Sequence, residues 1–371
     1  MIIGHLTSAH PVHDVRIYIK QCRTLQKAGY QVVLIAPGSN THQQGSGIQI
    51  ISVRKWRNRL VRMIATTWEV FLRAISSKAK VLHFHDPELI PVGLVLKLCG
   101  RRVIYDVHEN LPDQVMSKPW IPRVLRRSIS KAVNVIELVS VRAFDAVVAA
   151  TPKIASRFPE RKTVVVQNFP ILSEFSRRIK GQSNIRHCTL VYVGGIAEAR
   201  GIIEMIAATE IARHMGLDVR LVIAGEFLSE ELMRRVMAMN GWKFVDYLGW
   251  QSREQIAMVL SESLAGMVVL HPTLSYVDAY PVKLFEYMAA GIPVIASDFP
   301  LWREIIQDAH CGLLVNPLDP QAIANAILWL SENEQEVKRM GEAGALAVES
   351  RFSWANESAK LIDLYSRFAV S

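Results

Sequence analysis

Cysteine is scarce in this 371-residue chain: Cys22, Cys99, Cys188 and Cys311, with no CxxC or similar spacing. That supply fits neither a disulfide framework nor a cysteine-bound zinc, and a reducing compartment is the simpler setting. Long apolar runs are missing too. No stretch reaches 18 uncharged apolar residues, so no segment is expected to span a bilayer. The opening MIIGHLTSAH has no basic lead-in to an apolar run, so no signal peptide is expected and a cytoplasmic chain follows. No dinucleotide fingerprint follows the first strand of either half, which argues against a dehydrogenase. Internal sequence repeats and low-complexity tracts are absent.

What is present is unevenly distributed. Residues 1–186 carry 29 Lys+Arg against 11 Asp+Glu, a surplus of +18, while the remainder carries 14 against 23, or −9. A basic half suits nucleic acid, anionic lipid or a phosphorylated substrate. The length is about twice that of a typical domain, so two cores are expected.

Short β-branched runs alternate with helical stretches. MIIGHL, YQVVLIAP, GIQIISV, KVLHFH, RRVIYDV and DAVVAAT read as strands in the first half. CTLVYVGG, DVRLVIAG, KFVDYLG, GMVVLHP, IPVIAS and CGLLVN read so in the second. Several are continuously apolar, as parallel strands covered on both faces must be. Two doubly wound α/β domains are expected: residues 1–170, a polar linker over 171–187, and residues 188–352, with a helix over 353–371 packing back on the first.

Two stretches carry chemistry. In LVYVGGIAEARGIIEMIAA a strand runs into Gly194 and Gly195, and a helix starts near Arg200 and Gly201. Glycines at a strand end let backbone N–H groups approach an anion, and the helix N-terminus adds partial positive charge. An ordinary glycine turn gives the same letters. In YPVKLFEYMAAGIPVIASD, Lys283 and Glu286 are i, i+3 neighbours near the head of an apolar helix, with Pro281 at its start and Gly291 at its end. They form either an exposed ion pair worth well under ~1 kcal/mol or one wall of a ligand site, with Lys283 on a phosphate and Glu286 on a pair of sugar hydroxyls.

The spacing Asp278-x7-Glu286, followed by YMAAGIPVIAS, resembles the E-x7-E motif of the family-4 retaining glycosyltransferases, in the form common among bacterial polysaccharide-assembly members. GGIAEARG is similar to that family's diphosphate loop, and HPVHDVRIYIKQCRTLQKAGYQVVLIA, LHFHDPELIPVG and VIYDVHEN resemble its N-domain segments in the same order. The resemblance implies a GT-B fold, two Rossmann-like parallel-sheet domains facing a cleft. It also implies transfer of a sugar, without metal or other cofactor, from a nucleoside diphosphate sugar to a glycan or polyprenyl-linked acceptor in surface polysaccharide synthesis. Two positions depart from the pattern: Asp278 replaces the first glutamate, and Gly195 replaces the loop arginine, leaving Arg200 and Lys283 to face the diphosphate.

By that resemblance His108, Asp278, Arg200 and Lys283 are the catalytic set. The donor lies against Gly194, Gly195, Arg200, Gly225, Leu248, Tyr280, Pro281, Val282, Lys283, Leu284 and Glu286, with Glu286 on the ribose. Arg16, His85 and Glu109 fall on the acceptor side. From residues alone, Asp14 caps the first helix and Arg16 reads as an exposed arginine. Glu109 either orients His108 or pairs with a basic neighbour. His83 and His85 alternate onto one strand face ahead of Asp86, but no third ligand is evident, so HFHDPE reads as a strand-end turn rather than a metal site.

VRKWRNRLVRMI and SKPWIPRVLRRSISKAVNVIELVSVRAF interleave tryptophan with basic residues. In the second, Ile121, Leu125, Ile129, Ala132 and Ile136 keep helical spacing. An interfacial helix at the inner face of the cell membrane would have this pattern, as would a domain helix with solvated charges. No nucleic-acid module appears. Two other functions stay open: a nucleotide-sugar epimerase on the same fold, and a non-catalytic, membrane-associated partner.

Overall fold

The structure is a computed structural model that describes residues 1–38, 47–54, 56, 58, 61–117, 121–175 and 188–369. Most of the 171–187 linker, and Lys55, Arg57, Arg59 and Trp120 of the basic segments, lie outside the described residues. Two compact units divide the chain, one of Met1–Asn168 with Trp354–Ser371 and one of Phe169–Ser353.

The first unit is a seven-stranded parallel sheet: β1 (Ile2–Leu6), β2 (Gln31–Pro37), β3 (Ile48–Val53), β4 (Val81–Phe84), β5 (Arg102–Val107), β6 (Ala146–Ala149) and β7 (Thr163–Val165), ordered β3-β2-β1-β4-β5-β6-β7. Six of these follow the β-branched runs. The seventh, only three residues after a 3-10 turn, is too short to carry a period and is not read from sequence. The order reverses between β1 and β4, where His5 lies level with His83. Ligands of such sheets bind beyond the strand ends at this switch point.

One helical layer of this unit is a wide π turn over Val15–Cys22 that continues as α over Arg23–Lys27. Asp14 starts it by accepting the Arg16 and Ile17 N–H groups, both at 2.9 Å. The C-terminal helix Trp354–Ala369 packs beside it. Trp354 donates to Thr24 at 2.9 Å, Glu357 accepts the Gln167 N–H at 2.8 Å, and Tyr365 is buried with its hydroxyl 2.8 Å from His83 Nδ1. The other layer holds the helices Thr67–Ser76, Ile90–Leu98 and Arg123–Ala143, each packed on the next.

The second unit repeats the architecture with six parallel strands: β8 (Cys188–Val193), β9 (Val219–Ala224), β10 (Val245–Gly249), β11 (Ala265–Val268), β12 (Val294–Ser297) and β13 (Gly312–Val315), ordered β10-β9-β8-β11-β12-β13. Its switch point lies between β8 and β11. Continuous burial of β11 and β12 explains their unbroken apolar sequences. Trp302, fully buried, donates its indole N–H to the Ala279 carbonyl at 2.8 Å and so pins the loop that carries Asp278.

Candidate functional site: cations at the second switch point, imidazoles at the first

The chain leaves β8 through Gly194, at φ +126°. Gly194 donates to Ala224 O at 2.8 Å, and Gly225, at φ +150°, has no room for a side chain because a Cβ would lie 2.0 Å from Gly194 O. Gly225, expected to lie against the donor, packs directly on this loop. Gly201, at φ +75°, ends the 3-10 turn Glu198–Arg200 and precedes the helix Ile202–His214; a Cβ there would meet Val269 O at 2.0 Å. The glycines thus seat the helix start against the end of β11.

Two cations converge on this loop. Arg200 donates through Nη1 to Gly195 O at 2.8 Å, and its Nε lies 3.5 Å from the Tyr276 hydroxyl. Lys283, in the first turn of the helix Val282–Ala289, lies 4.0 Å above the Tyr192 ring, and a Cβ on Gly194 would touch its Nζ at 3.4 Å. The same helix is tied to β8 by the Val193 N–H donating to Tyr287 Oη at 2.9 Å. Burial, then the Arg200 charge, pull Lys283 down to about 7, against an opposing pull from Glu286. The ammonium is enclosed although part of the side chain reaches solvent. Among the described residues, neither cation has a carboxylate within ion-pair distance.

Lys283 and Glu286 therefore do not form an exposed ion pair. Glu286 is buried and accepts from Arg253 Nη1 at 2.9 Å, while Arg253 also donates from Nε to Glu174 at 3.1 Å. Arg253 and Glu174 were not singled out from sequence, although Arg253 directly follows Ser252, which caps the helix Arg253–Ser261 through a capping box with Gln255. Pro281 is the N-cap of the Val282–Ala289 helix, Leu284 is core, and Tyr280 is half-buried with its hydroxyl pKa raised by burial. Asp278 is exposed on the pinned loop. Leu248 is exposed at the end of β10, linked to the loop by the Gly225 N–H donating to Gly249 O at 2.7 Å. A cavity of about 230 Å³ lies beside the loop, lined by Ala197, Leu228, Glu231 and Arg235 among others; with Glu198 and Glu231 in its wall it is unsuited to a diphosphate.

In the first unit the strand ends gather a different set. Asp86, after β4, accepts from the Thr7 hydroxyl and the Ser8 N–H, both at 2.7 Å, closing the loop after β1. Asp106, fully buried on β5, is the centre. Its Oδ1 accepts from Arg16 Nη2 at 2.8 Å; its Oδ2 accepts from Gln21 at 2.6 Å and lies 3.2 Å from His85 Nδ1 and 3.3 Å from His108 Nε2. Burial opposes its ionisation, but Arg16 and the imidazoles outweigh that and hold it well below the ordinary carboxylate range. Arg16 is thus a buried counter-ion, 5 % exposed, rather than the exposed arginine read from sequence. The residue that orients His108 is Asp106, while Glu109 is exposed. Positions 106 and 108 share a strand face, and that alternation was the available signal.

His85 is also a positioning residue. Buried, it accepts at Nε2 from His5 Nδ1, 3.0 Å away, if its own Nδ1–H serves Asp106. His5, His83 and His85 lie enclosed, and burial lowers all three pKa values, so they are neutral at pH 7. His10 instead bridges Asp14 and Asp86; the Asp14 hydrogen bond raises its pKa, and Asp14 is drawn down to about 2 by His10 and the Ile17 N–H against the effect of burial. The third ligand absent from the sequence reading exists: His85, Asp106 and His108, or His5, His83 and His85, offer donor atoms close enough for a metal ion. Asp106 already accepts from Arg16 and Gln21, so the set reads as a hydrogen-bonded cradle for the His108 ring.

The comparisons with known proteins fall on both units. Residues 20–168 match the profile of the glycosyl transferase 4-like domain, and residues 175–346 that of the glycosyl transferases group 1. The phosphatidyl-myo-inositol mannosyltransferase of Mycobacterium leprae is 27% identical over 184 residues, 49% of this chain and 47% of that protein. The chain spans about half the length of the curated relatives it matches. Sucrose-phosphate synthase from Thermosynechococcus elongatus superposes with a TM-score of 0.77 at 19% identity, covering 100% of both chains. Anabaena Alr3699/HepE, solved with UDP and glucose, superposes with a TM-score of 0.75 at 13% identity, covering 99% of this chain and all of that one. These likenesses establish the GT-B fold.

Two measurements test the geometry. The buried neutral imidazoles take up protons only when the chain unfolds, so the unfolded state binds more protons below about pH 6.5 and stability falls with pH there, by up to about 1.4 kcal/mol per pH unit for each imidazole. Urea titrations at pH 7 and pH 5 should show that loss, and His83→Gln should make it shallower; equal stabilities at both pH values would contradict the buried neutral cluster. At the second switch point, an anion seated on Lys283 must restore its proton. Calorimetry of UDP or GDP binding near pH 8, in buffers of different ionisation enthalpy, should show net proton uptake in the wild type that disappears in Lys283→Arg while binding persists. Uptake unchanged by that substitution would remove Lys283 from the anion site.

Proposed function

The chain belongs to the group 1 glycosyl transferases of the GT-B fold, and from that premise we propose that it transfers a sugar from a nucleoside diphosphate sugar to a glycan or polyprenyl-linked acceptor. The observation that carries the reading is the pair Arg200 and Lys283, two cations at a glycine-shaped strand end with no carboxylate within ion-pair distance among the described residues. Like charges so placed repel each other, and a diphosphate relieves the repulsion.

The proposed mechanism assigns each group one task. Arg200 and Lys283 stabilise charge growing on the leaving diphosphate, an effect strongest where charge develops in the transition state. With a pKa of about 7 when the site is empty, Lys283 gains its proton as the dianion binds. Glu286, held in place by Arg253, accepts the ribose hydroxyls, and Tyr280, Pro281, Val282 and Leu248 line the remainder of the donor. Asp278 and His108 address the sugar, with Asp106 holding the His108 ring through Nε2. Retention of anomeric configuration follows if the leaving phosphate oxygen deprotonates an acceptor hydroxyl attacking from the same face: the glycosidic C–O bond to phosphate breaks, the new C–O bond forms, and the proton passes to the diphosphate. The charge is carried by side chains, so the proposed reaction needs no metal. UDP and glucose in Alr3699/HepE and the mannosyl transfer named for the mycobacterial relative support this donor class.

The test is transfer from UDP-glucose and GDP-mannose to polyprenyl-diphosphate sugars in the presence of EDTA, with anomeric configuration read by NMR. An α-linked product from an α-donor is expected, with Glu286→Ala at least about 30-fold slower, the equivalent of about 2 kcal/mol for hydroxyls left unpaired. An inverted product would overturn the retaining mechanism, and activity restored only by a metal would overturn metal independence. Free epimer formed without acceptor would select the epimerase, and absence of both nucleotide binding and turnover the non-catalytic partner.

A further inference from the structure

Scattered exposed apolar side chains are normal on a protein surface; confinement of all of them to one face is not. Among the described residues of the first unit, every large apolar side chain that is exposed lies on one stretch of contiguous surface helices, Arg62–Thr66 running into Thr67–Ser76, then Ile90–Leu98 and Arg123–Ala143, or one residue ahead of it at Val61. These helices form the layer packed side by side on one another.

Helical geometry makes the exposed rows continuous. Ile64, Trp68, Leu72 and Ile75 succeed one another at spacings of four, four and three, with Ile64 75 % and Trp68 61 % exposed, while Val70 and Ala74 of the same helix face the core. On Arg123–Ala143, Val124, Val135 and Val139 fall on one stripe, and Glu137, Ser140 and Val141 fill the inner side. The Thr67–Ser76 helix is therefore apolar inward and outward, and the Arg123–Ala143 helix carries an outward apolar stripe opposite an inner side that includes Glu137 and Ser140; a solvated surface helix has neither pattern. Of the row read in sequence, Leu125, Ala132 and Ile136 are exposed and Ile129 is half-buried, while Ile121 is core; Val124, 85 % exposed, stands outside that row. Arg123, Arg127, Lys131 and Arg142 stand exposed on the same helix, and Leu98, 88 % exposed, closes the Ile90–Leu98 helix next to it.

We propose that this three-helix face docks the first unit on an anionic lipid bilayer. A second copy of the chain would bring the same basic residues against themselves in an isologous contact, so like charge opposes that occupant. An anionic lipid surface satisfies both features: aliphatic and tryptophan side chains enter the headgroup boundary while the arginines and lysines meet the lipid charge. The surplus of +18 over residues 1–186 acts in the same direction. This inference stands apart from the transfer reading, since it involves no donor residue and its test needs no nucleotide.

The test is co-sedimentation of the full chain with phosphatidylcholine vesicles, with and without about one-third phosphatidylglycerol. Binding should require the anionic lipid and weaken at least about ten-fold between roughly 0.1 and 0.5 M salt. Val135→Glu/Val139→Glu and Arg127→Glu/Lys131→Glu should each lose about ten-fold or more of it, while Leu346→Glu, an exposed apolar position of the second unit, should not. All the substituted positions are exposed, and unchanged melting temperatures would show that the variants fold. Equal binding to uncharged vesicles, or none to either, would overturn the proposal. So would a wild-type dimer that Val135→Glu/Val139→Glu converts to monomer, because the face would then belong to a second copy.

Discussion

Everything at the second switch point depends on one electrostatic constraint: two cations share a glycine-shaped strand end and, among the described residues, neither has a carboxylate within ion-pair distance. Enclosing an ammonium beside a guanidinium is costly, and the depressed Lys283 pKa is the sign of it. The fold tolerates the arrangement because Tyr192 presents its ring face to Lys283, and because Gly195 O accepts both the Tyr192 hydroxyl and the Arg200 guanidinium at 2.8 Å. Glycines at 194, 201 and 225 permit the backbone approaches that bring these groups together. A site so arranged is charged for a ligand that it does not itself contain.

The first switch point is built on the opposite principle. There the buried charge, Asp106, is matched by Arg16, Gln21 and two imidazoles. What the network yields is orientation, because a ring bonded to a fixed carboxylate has one tautomer and one pose. The two halves thus divide the labour against their overall charge. The acidic half holds the unmatched cations, and the basic half buries a matched carboxylate and carries its surplus on the surface. Net charge describes what the protein drifts toward, and local pairing describes what it binds.

Much of this was legible beforehand. Strand positions followed from β-branched runs, and the two parallel sheets from their alternation with helices; β7 was missed because three residues carry no period. The motifs at 194–201 and 278–286 located the second switch point, since glycine spacing and helix caps are local features. Partners distant in sequence were not legible. Arg253 reaches Glu286 across 33 positions, Arg16 reaches Asp106 across 90, and Tyr365 reaches His83 across 282. Charge type alone made Arg16 a surface residue and left Lys283 and Glu286 open between an ion pair and a ligand wall, because pairing is decided by topology. Spacing placed Leu125, Ala132 and Ile136 on an interfacial row and they are exposed, but the row through Ile64, Trp68, Leu72 and Ile75 was hidden, since spacing gives a helix its faces without saying which one the core takes.

The most direct measurement is a crystal structure of the chain with a nucleoside diphosphate. Diphosphate oxygens are expected within hydrogen-bonding distance of Lys283 Nζ and the Arg200 guanidinium, against the backbone at Gly194 and Gly195, with the ribose hydroxyls on Glu286. A diphosphate seated away from Lys283 and Arg200 would contradict that expectation.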